Sequence, residues 1–430
     1  MKKILLLFAA IMMARTGLCA ELVDYLYPVY NTDGVPASGI KEWKTASVYA
    51  AVVTNASTLV DWGDPDATTW YVVTGTDVKL LKGAICAGNV NLILADGAKL
   101  TATGERNSAG IQVSREDYSL TIYGQANQSG QLVANGDQGA GIGGGGDRNE
   151  SGSNITINGG TVIATSSEFG AGIGGGSSGK GSYITINGGT VTANGGDEAA
   201  GIGGGEGSSG SNIIINGGII TANGGDGCDG IGSGFDGGES SNIFVADGVK
   251  VMTNESVIAH TSSDDIAKDL AGKQNVTAFD LAPYLKAIND AAGNYEDATI
   301  TGIANTAEAS ILGQTTADGA RAVSDLAVEK INAIKEILTL IADDTNVRNT
   351  TFISEIITNI ASAVSVNDVT INKTQAVNEI PAFLAGRSSA LGSMGTKQDG
   401  PAVEVIDQDD NIVILYNPKK VNFIKVETEE

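Results

Sequence analysis

The chain has 430 residues, and its 50 Asp and Glu residues outnumber its 26 Lys and Arg residues, which gives a net charge of −24. An acidic surface of this kind repels phosphate groups. It therefore argues against nucleic acids and anionic membrane surfaces as partners, whereas divalent cations and cation-bridged glycans are compatible with it. The length allows two or three domains.

The N-terminal segment has the order of a secretory signal peptide. Lys2-Lys3 precedes the apolar stretch 4–14, and Leu18-Cys19-Ala20 offers a cleavage site with a small last residue. We assign residues 1–20 to this signal and expect an exported protein, either secreted or held at a bacterial cell surface. A lipid anchor at Cys19 is the alternative, which is disfavoured because a leucine stands before the cysteine. The apolar stretch is too short to span a bilayer, and no later stretch reaches the roughly 18 apolar residues that a membrane helix needs.

Residues 21–71 form an aromatic-rich segment ahead of the repeats. It contains all three tryptophans of the chain: Trp43, Trp62 and Trp70. We predict an N-terminal cap that seals the first coil of the following domain. The alternative is an exposed aromatic platform for sugar rings.

An internal repeat dominates the middle of the chain. Gly-Ile-Gly recurs four times, each time before a polar, glycine-rich stretch and two strand-like segments. The isoleucines that anchor the repeat, counted with two weaker copies, are Ile85, Ile111, Ile142, Ile173, Ile202 and Ile231. Each unit holds three short apolar segments bounded by Gly, Asn or Asp, and one such unit cannot bury its apolar face alone. The pattern therefore predicts a right-handed parallel β-helix of about six coils over residues 72–255.

Three features of the repeat favour a structural role. Asn158, Asn187 and Asn216 occupy equivalent positions, which predicts a ladder of stacked amides rather than a ligand site. The glycine-rich stretches are followed by strands and not by helices, so they are predicted to be turns rather than phosphate-binding loops. Cys86 and Cys228 lie five coils apart, which is too far for a disulfide.

Acidic residues precede the Gly-Ile-Gly segment by a constant count. Asp137, Glu168, Asp197 and Asp226 each stand five residues before an anchoring isoleucine, so we expect them to stack in a column at about 4.8 Å spacing. Like charges at that spacing must be solvated, partly protonated or bridged by cations. The column is thus a candidate weak Ca²⁺ site, and solvated corner residues are the alternative.

The composition changes after residue 255, where glycine becomes sparse and a period of 3.6 residues appears. Residues 256–400 are predicted to form a small helical bundle, and 401–430 to form a β-hairpin or small sheet around residues 407–411. The predicted buried stripes are Leu281, Leu285, Ile288 and Ala292, then Ala327, Ile331, Ile334, Leu338 and Ile341, and finally Ile353, Ile356, Ile360 and Val364.

The residues that could carry catalysis are few. His260 is the single histidine and has no Ser or Cys motif beside it, which disfavours a Ser-His-Asp triad and a His-based zinc site. A polysaccharide hydrolase of the β-helical type would need an Asp-Asp pair and a Gly-His-Gly, which the repeats lack. A lyase would need basic residues, and the repeats hold few of them. We assign no catalytic residue and no cofactor other than the possible Ca²⁺.

Several stretches carry a resemblance to a known family, namely residues 70–73, 90–97, 109–111 and 120–125 and the string Gly-Ala-Gly-Ile-Gly-Gly-Gly. The resemblance extends over roughly residues 60–255, which are similar to the glycine-rich β-helix repeat of large bacterial cell-surface proteins, often called adhesin-like. The resemblance implies a non-enzymatic protein acting in adhesion or as a spacer. Carbohydrate binding, with extracellular or host glycans as partners, is the second hypothesis, and a polysaccharide lyase or hydrolase is the third.

Overall fold

The computed structural model describes residues 20–31, 39–55, 60–147, 149–254, 256–258, 265–342, 344–393, 403–406 and 412–416. The chain divides into two compact units, Met1–Leu281 and Ala282–Glu430. The predicted signal peptide, Cys19 and His260 fall outside the described residues, apart from Ala20.

The first unit is a parallel β-solenoid of about six turns, as predicted, and it is preceded by the antiparallel hairpin of β1 (Ala20–Tyr30) and β2 (Ile40–Val52). Each coil adds one strand to each of three sheets. Sheet 1 holds β4 (Thr68–Val73), β7 (Asn89–Leu94), β10 (Ser119–Gly124), β13 (Gly152–Ile157), β16 (Gly181–Ile186), β19 (Gly210–Ile215) and β22 (Ser241–Val245). Sheet 2 holds β5 (Val78–Leu80), β8 (Lys99–Thr103), β11 (Gln131–Gly136), β14 (Thr161–Ser166), β17 (Thr190–Asn194), β20 (Ile219–Asn223) and β23 (Val249–Thr253). Sheet 3 holds β3 (Val60–Trp62), β6 (Ala84–Cys86), β9 (Ile111–Gln112), β12 (Ile142–Gly143), β15 (Ile173–Gly174), β18 (Ile202–Gly203) and β21 (Ile231–Gly232).

The alternation of side chains explains the core. In β13, Ile155 and Ile157 are fully buried while Thr156 between them faces outward. Identical residues then stack from coil to coil, and the predicted superposition of the anchoring isoleucines is confirmed for Ile111, Ile142, Ile173, Ile202 and Ile231.

The predicted anchor Ile85 is wrong by one residue. Ala84 pairs with Ile111 and Ile85 pairs with Gln112, so Ile85 lies on the outward-facing side of β6. The reason is that Ala84 and Cys86 point into the core, where both are almost completely buried.

The second glycine of the first three Gly-Ile-Gly segments is required by close packing between coils. Gly143 and Gly203 both have a φ of +140°, and a Cβ atom added at Gly143 would lie 1.9 Å from the carbonyl oxygen of Gly174 in the next coil. Only glycine tolerates both the backbone conformation and the contact. The repeat of this residue is therefore a consequence of stacking.

The predicted N-terminal cap covers the side of the solenoid as well as its first coil. Strand β2 extends sheet 1 through the pairs Ala51–Tyr71 and Val52–Val72. The hairpin also packs on the outer face of sheet 1, where Val72, Ile93 and the rings of Trp70 and Tyr123 need cover from water. Trp62, by contrast, is buried inside the first coils and stacks on Tyr71 with the ring centroids 5.3 Å apart.

The solenoid unit extends beyond the predicted boundary at residue 255. After β24 (Val257–Ile258) and α1 (Ala267–Leu270), the chain returns as β25 (Asn275–Asp280). Strand β25 lies between β20 and β23 and is antiparallel to both, so it supplies the hydrogen bonds that those two strands would otherwise lack. The unit accordingly ends at Leu281.

The second unit is helical, with a pair of strands near the C-terminus. Its helices are α2 (Ala282–Ala292), α3 (Ala298–Gly313), α4 (Ala317–Leu340), α5 (Thr345–Arg348), α6 (Thr351–Ser362) and α7 (Val366–Ser393). The strands β26 (Val403–Ile406) and β27 (Ile412–Tyr416) form an antiparallel pair, and residues 417–430 of the predicted hairpin or small sheet lie outside the described residues. Among the helices described, none is both long and apolar enough to cross a membrane.

One of the predicted buried stripes is confirmed in full and another only in part. Every predicted residue of the α4 stripe is buried, from Ala327 to Ile341. In α6 the buried side chains are Ile353, Ile357 and Ile360, whereas the predicted Val364 is 84% exposed because it lies beyond the end of the helix.

Candidate functional site

The predicted asparagine ladder is present in the middle coils. Asn187 donates to Asn158 Oδ1 at 2.7 Å, and Asn216 donates to Asn187 Oδ1 at 2.8 Å. All three side chains are buried. Asn187 also donates to the hydroxyl of Tyr30, which ties the N-terminal hairpin to the ladder. These amides use one another as partners, so their role is structural.

The ladder ends at Asn216, whose Oδ1 atom is buried without a hydrogen-bond partner among the described residues. The next coil places Ala246 at the equivalent position, because Ile215 pairs with Val245. The Ala246-Asp247-Gly248 sequence of the last coil thus marks where the ladder stops.

A second ladder was missed by the sequence analysis. Asn223 donates to Asn194 at 2.8 Å, and Asn194 donates to the hydroxyl of Thr165 at 3.1 Å. The repeated Thr-Ala-Asn at the end of β17 and β20 carries the sequence signal of this ladder.

The glycine-rich turns use backbone amides within the solenoid, which makes these amides unavailable to a phosphate. Gly144, Gly175 and Gly204 donate their N–H groups to carbonyl oxygens of the following coil at 2.8–2.9 Å. The turns are therefore parts of the parallel ladder, in agreement with the prediction that they are turns.

The acidic column is interrupted after its first member. Ser166 pairs with Gly136, and Ile173 pairs with Ile142. Ile142 stands six positions after Gly136, whereas Ile173 stands seven positions after Ser166, so the second turn is one residue longer. This one-residue insertion changes the partners in the turn. Asp137 accepts a hydrogen bond from Ser167, and Glu168 accepts one from Gln138 at 3.1 Å.

The remaining acidic residues keep equivalent positions. In the strands on either side of Glu168, Asp197 and Asp226, residues that pair between neighbouring coils are 29 positions apart in the sequence. The described residues contain no group of three or more His, Cys, Asp and Glu side chains that is arranged to hold a metal ion. Calcium binding stays a prediction.

The acidic column can be tested by thermal unfolding at low salt. Millimolar Ca²⁺ should raise the melting temperature of the wild type but not that of the D197N/D226N variant. An equal response of the two proteins would contradict calcium binding by the column.

One buried carboxylate escaped the sequence analysis. Asp229 is 8% exposed and accepts hydrogen bonds from the backbone N–H groups of Ser233 at 2.7 Å and Gly272 at 2.6 Å. Burial raises the pKa of its carboxyl, and the two hydrogen bonds oppose that shift. Asp229 thereby joins β21 to the segment that leads into β25.

Cys86 and Cys228, the cysteines within the described residues, are buried, free thiols in separate coils. Burial raises the pKa of Cys86 to about 12 and also raises the pKa of Cys228. Since the thiolate is the reactive form, neither residue is suited to act as a nucleophile at neutral pH.

Aromatic side chains occupy two surfaces of the solenoid. Tyr25 and Trp70 pack with Tyr123 under the hairpin, and burial raises the pKa of Tyr123 to about 12. Tyr183 stands apart because it is 60% exposed and has a φ of +55°. The equivalent positions in neighbouring coils, Asn154 and Asn212, have the same left-handed conformation.

The comparisons with known proteins agree with this architecture. A family model described as "Beta helix repeat" matches residues 155–177, 184–206 and 213–235, which are three successive middle coils. No curated protein and no solved structure matches the chain. The family match and the register of the coils together identify the solenoid as a parallel β-helix repeat region.

Proposed function

We propose that the chain is an exported, non-enzymatic bacterial protein that is secreted or held at the cell surface. Its solenoid serves as a rigid spacer or adhesin arm. The observation that carries the proposal is one continuous apolar core that runs through the coils from Ala51 to Ala278. Seven strands of sheet 1 at about 4.8 Å spacing give a stack of about 29 Å. Every coil is fixed to its neighbours, so the unit resists bending.

Two further observations support the spacer over an enzyme. The repeats use their polar side chains on one another, as in the two asparagine ladders. The turns use their backbone amides in the same way. A catalytic cleft needs polar groups that remain available to a substrate.

The export part of the proposal is tested at the N-terminus. The full chain is expressed in a bacterial host, and the exported fraction is analysed by N-terminal sequencing. We expect the mature chain to begin at Glu21, and a Leu6→Arg variant to remain inside the cell with its N-terminus intact. An uncleaved wild-type chain in the cytoplasm would overturn export.

The non-enzymatic part is tested on polysaccharides. The mature chain is incubated with neutral and acidic polysaccharides, and new reducing ends and unsaturated uronates are measured. We expect no release above a heat-denatured control. Sustained turnover by the purified protein would overturn the proposal.

Carbohydrate binding by the solenoid is the second candidate, and Tyr183 is the observation that favours it. Its ring is exposed and free to stack on a sugar ring, and it is held in a conformation that bulky residues avoid, between Asn154 and Asn212 of the adjacent coils. A glycan array with and without Ca²⁺ tests it. Binding that is present in the wild type and absent in Tyr183→Asn supports the candidate, and equal profiles refute it.

A further inference from the structure

The helical unit contains a polar cavity that the proposed function does not use. A cavity of about 670 Å³ is bordered by the segment between α2 and α3 and by the end of α5. A second cavity of about 870 Å³ shares that α2–α3 segment. The volumes fall within the range of about 300–1,000 Å³ that is typical of small-molecule sites.

Arg348 is the central group of this cavity. Its Nε atom lies 3.5 Å from Asp297 Oδ2, and its side chain also donates to the hydroxyl of Thr299 at 3.2 Å. The Nε–H group is buried next to that carboxylate and is not accessible from the cavity. The Arg348 side chain is 22% exposed, and a guanidinium has five N–H donors, so its terminal N–H groups retain capacity for an acceptor oxygen.

Asp297 is held in place by the backbone. It is the N-cap of α3, where its Oδ1 atom accepts hydrogen bonds from Thr299 N at 2.8 Å and Ile300 N at 3.2 Å. The carboxylate of Asp297 and the guanidinium of Arg348 therefore border the cavity in fixed positions. Neighbouring polar side chains are supplied by Asn294 and Asn349.

The charges of the wall select against anions. Glu296 and Asp297 outnumber Arg348, so the cavity lining has a net charge of −1. A neutral ligand with several hydroxyl groups suits it, because a hydroxyl can donate to a carboxylate and accept from a guanidinium or an amide at once. The ring of Tyr295 adds an apolar wall, and the Lys335 ammonium lies 5.3 Å from the centroid of that ring.

We propose that this cavity binds a neutral polyhydroxylated ligand of the sugar class, through Arg348, Asp297 and the two asparagines. The site is independent of the solenoid and of Tyr183. Carbohydrate recognition here would give the helical unit a role of its own.

The test uses the full mature chain and NMR titration with glucose, galactose, mannose and N-acetylglucosamine, with glucuronate as the charged counterpart. We expect at least one neutral sugar to shift the signals of Asn294–Asp297 and Arg348, and glucuronate to bind more weakly than glucose. Arg348→Lys should weaken binding at least tenfold. Arg321→Lys is the matched control, since Arg321 is an exposed arginine of α4 paired with Asp318.

Exposed residues keep the test valid if Arg348→Lys fails to fold. Asn294→Ala and Asn349→Ala remove polar groups from exposed positions, and each should weaken binding while leaving the melting temperature unchanged. Absence of shifts in this cavity with all four sugars, full binding by a folded Arg348→Lys variant, or tighter binding of glucuronate than of glucose would each overturn the proposal. Loss of glycan binding in Tyr183→Asn leaves this site unaffected and bears only on the solenoid.

Discussion

A single backbone conformation recurs at one position of sheet 1 in successive coils. Asn154, Asn212 and Asn242 adopt the left-handed region there, and Asn242 donates to Asn212 Oδ1 at 3.1 Å. Asparagine suits this region because its short side chain bonds locally. Tyr183 is the exception in the series, and its side chain gains nothing from burial.

Replacement of this tyrosine should therefore stabilise the protein. Tyr183→Asn restores the residue type of the adjacent coils, and we expect the free energy of unfolding to rise by about 1 kcal/mol, since left-handed backbone costs a bulky residue about that much. Urea denaturation of the mature chain measures it. Tyr183→Phe keeps the strain and serves as the control. A less stable asparagine variant would contradict this explanation.

The two asparagine ladders should differ in energetic weight. Asn187→Ala leaves buried groups of Asn158 and Asn216 without partners, so we expect a loss of about 3 kcal/mol in the free energy of unfolding. Asn194→Ala acts on a half-buried ladder, where water replaces the lost partner, and should cost about 1 kcal/mol. Equal losses in the two variants would show that burial does not set the cost.

At the scale of elements, strand β25 distinguishes the end of the solenoid from its middle. The regular coils add parallel strands, whereas β25 enters sheet 2 antiparallel to β20 and β23. Asp229 fastens the segment before β25 through its bond to Gly272. The last coil is therefore secured by residues from outside the repeat.

This fastening should depend on pH. The folded state raises the pKa of Asp229 above its usual value of 3.8, so the native state holds this proton more tightly than the unfolded state. The contribution of the group is thus complete below pH 3.8 and is lost as the pH rises through the folded-state pKa.

As the pH rises through the folded-state pKa, we expect the free energy of unfolding of the wild type to fall relative to that of Asp229→Asn. Denaturation curves across a pH series measure it, with Asp236→Asn as a control for the loss of one negative charge. A difference that moves in favour of the wild type with rising pH would mean that the two backbone hydrogen bonds outweigh desolvation.

The sequence predicts the regular elements and misses the singular ones, for a physical reason. The three sheets and the first asparagine ladder follow from residues that recur at constant spacing, since stacked coils impose one pattern on each of them. The sideways course of the hairpin, and the entry of β25 into sheet 2, depend on long-range pairing that no periodicity records. The acidic column is predicted only in part. Its members share a constant distance in sequence from the anchoring isoleucines, but the turn after Ser166 is one residue longer than the turn after Gly136, so Asp137 does not align with the other members. Arg348 and Asp297 meet only through tertiary packing.

At the scale of the whole solenoid unit, the middle coils should be interchangeable. Gly181 pairs with Gly210 and Ser182 pairs with Ser211, so deletion of residues 182–210 joins equivalent positions. We expect the shortened chain to unfold cooperatively with a smaller denaturant m-value, because less surface is exposed on unfolding. Deletion of one residue fewer, 186–213, is the control, because it leaves the extra residue inside the merged strand, between Thr185 and Ile215. It turns Ile215 from the core to the outer face and should prevent folding. A well-folded control would contradict the importance of register.

The equivalence of these coils also has a genetic consequence. A stretch of coding sequence that specifies one coil can be lost or duplicated by unequal recombination between neighbouring copies, and the product still has its hairpin at one end and β25 at the other. Each event changes the length of the solenoid by one strand spacing of about 4.8 Å and requires no compensating mutation. Length is then a trait that a population can vary in discrete steps, while the ends that protect the solenoid from joining other molecules stay the same.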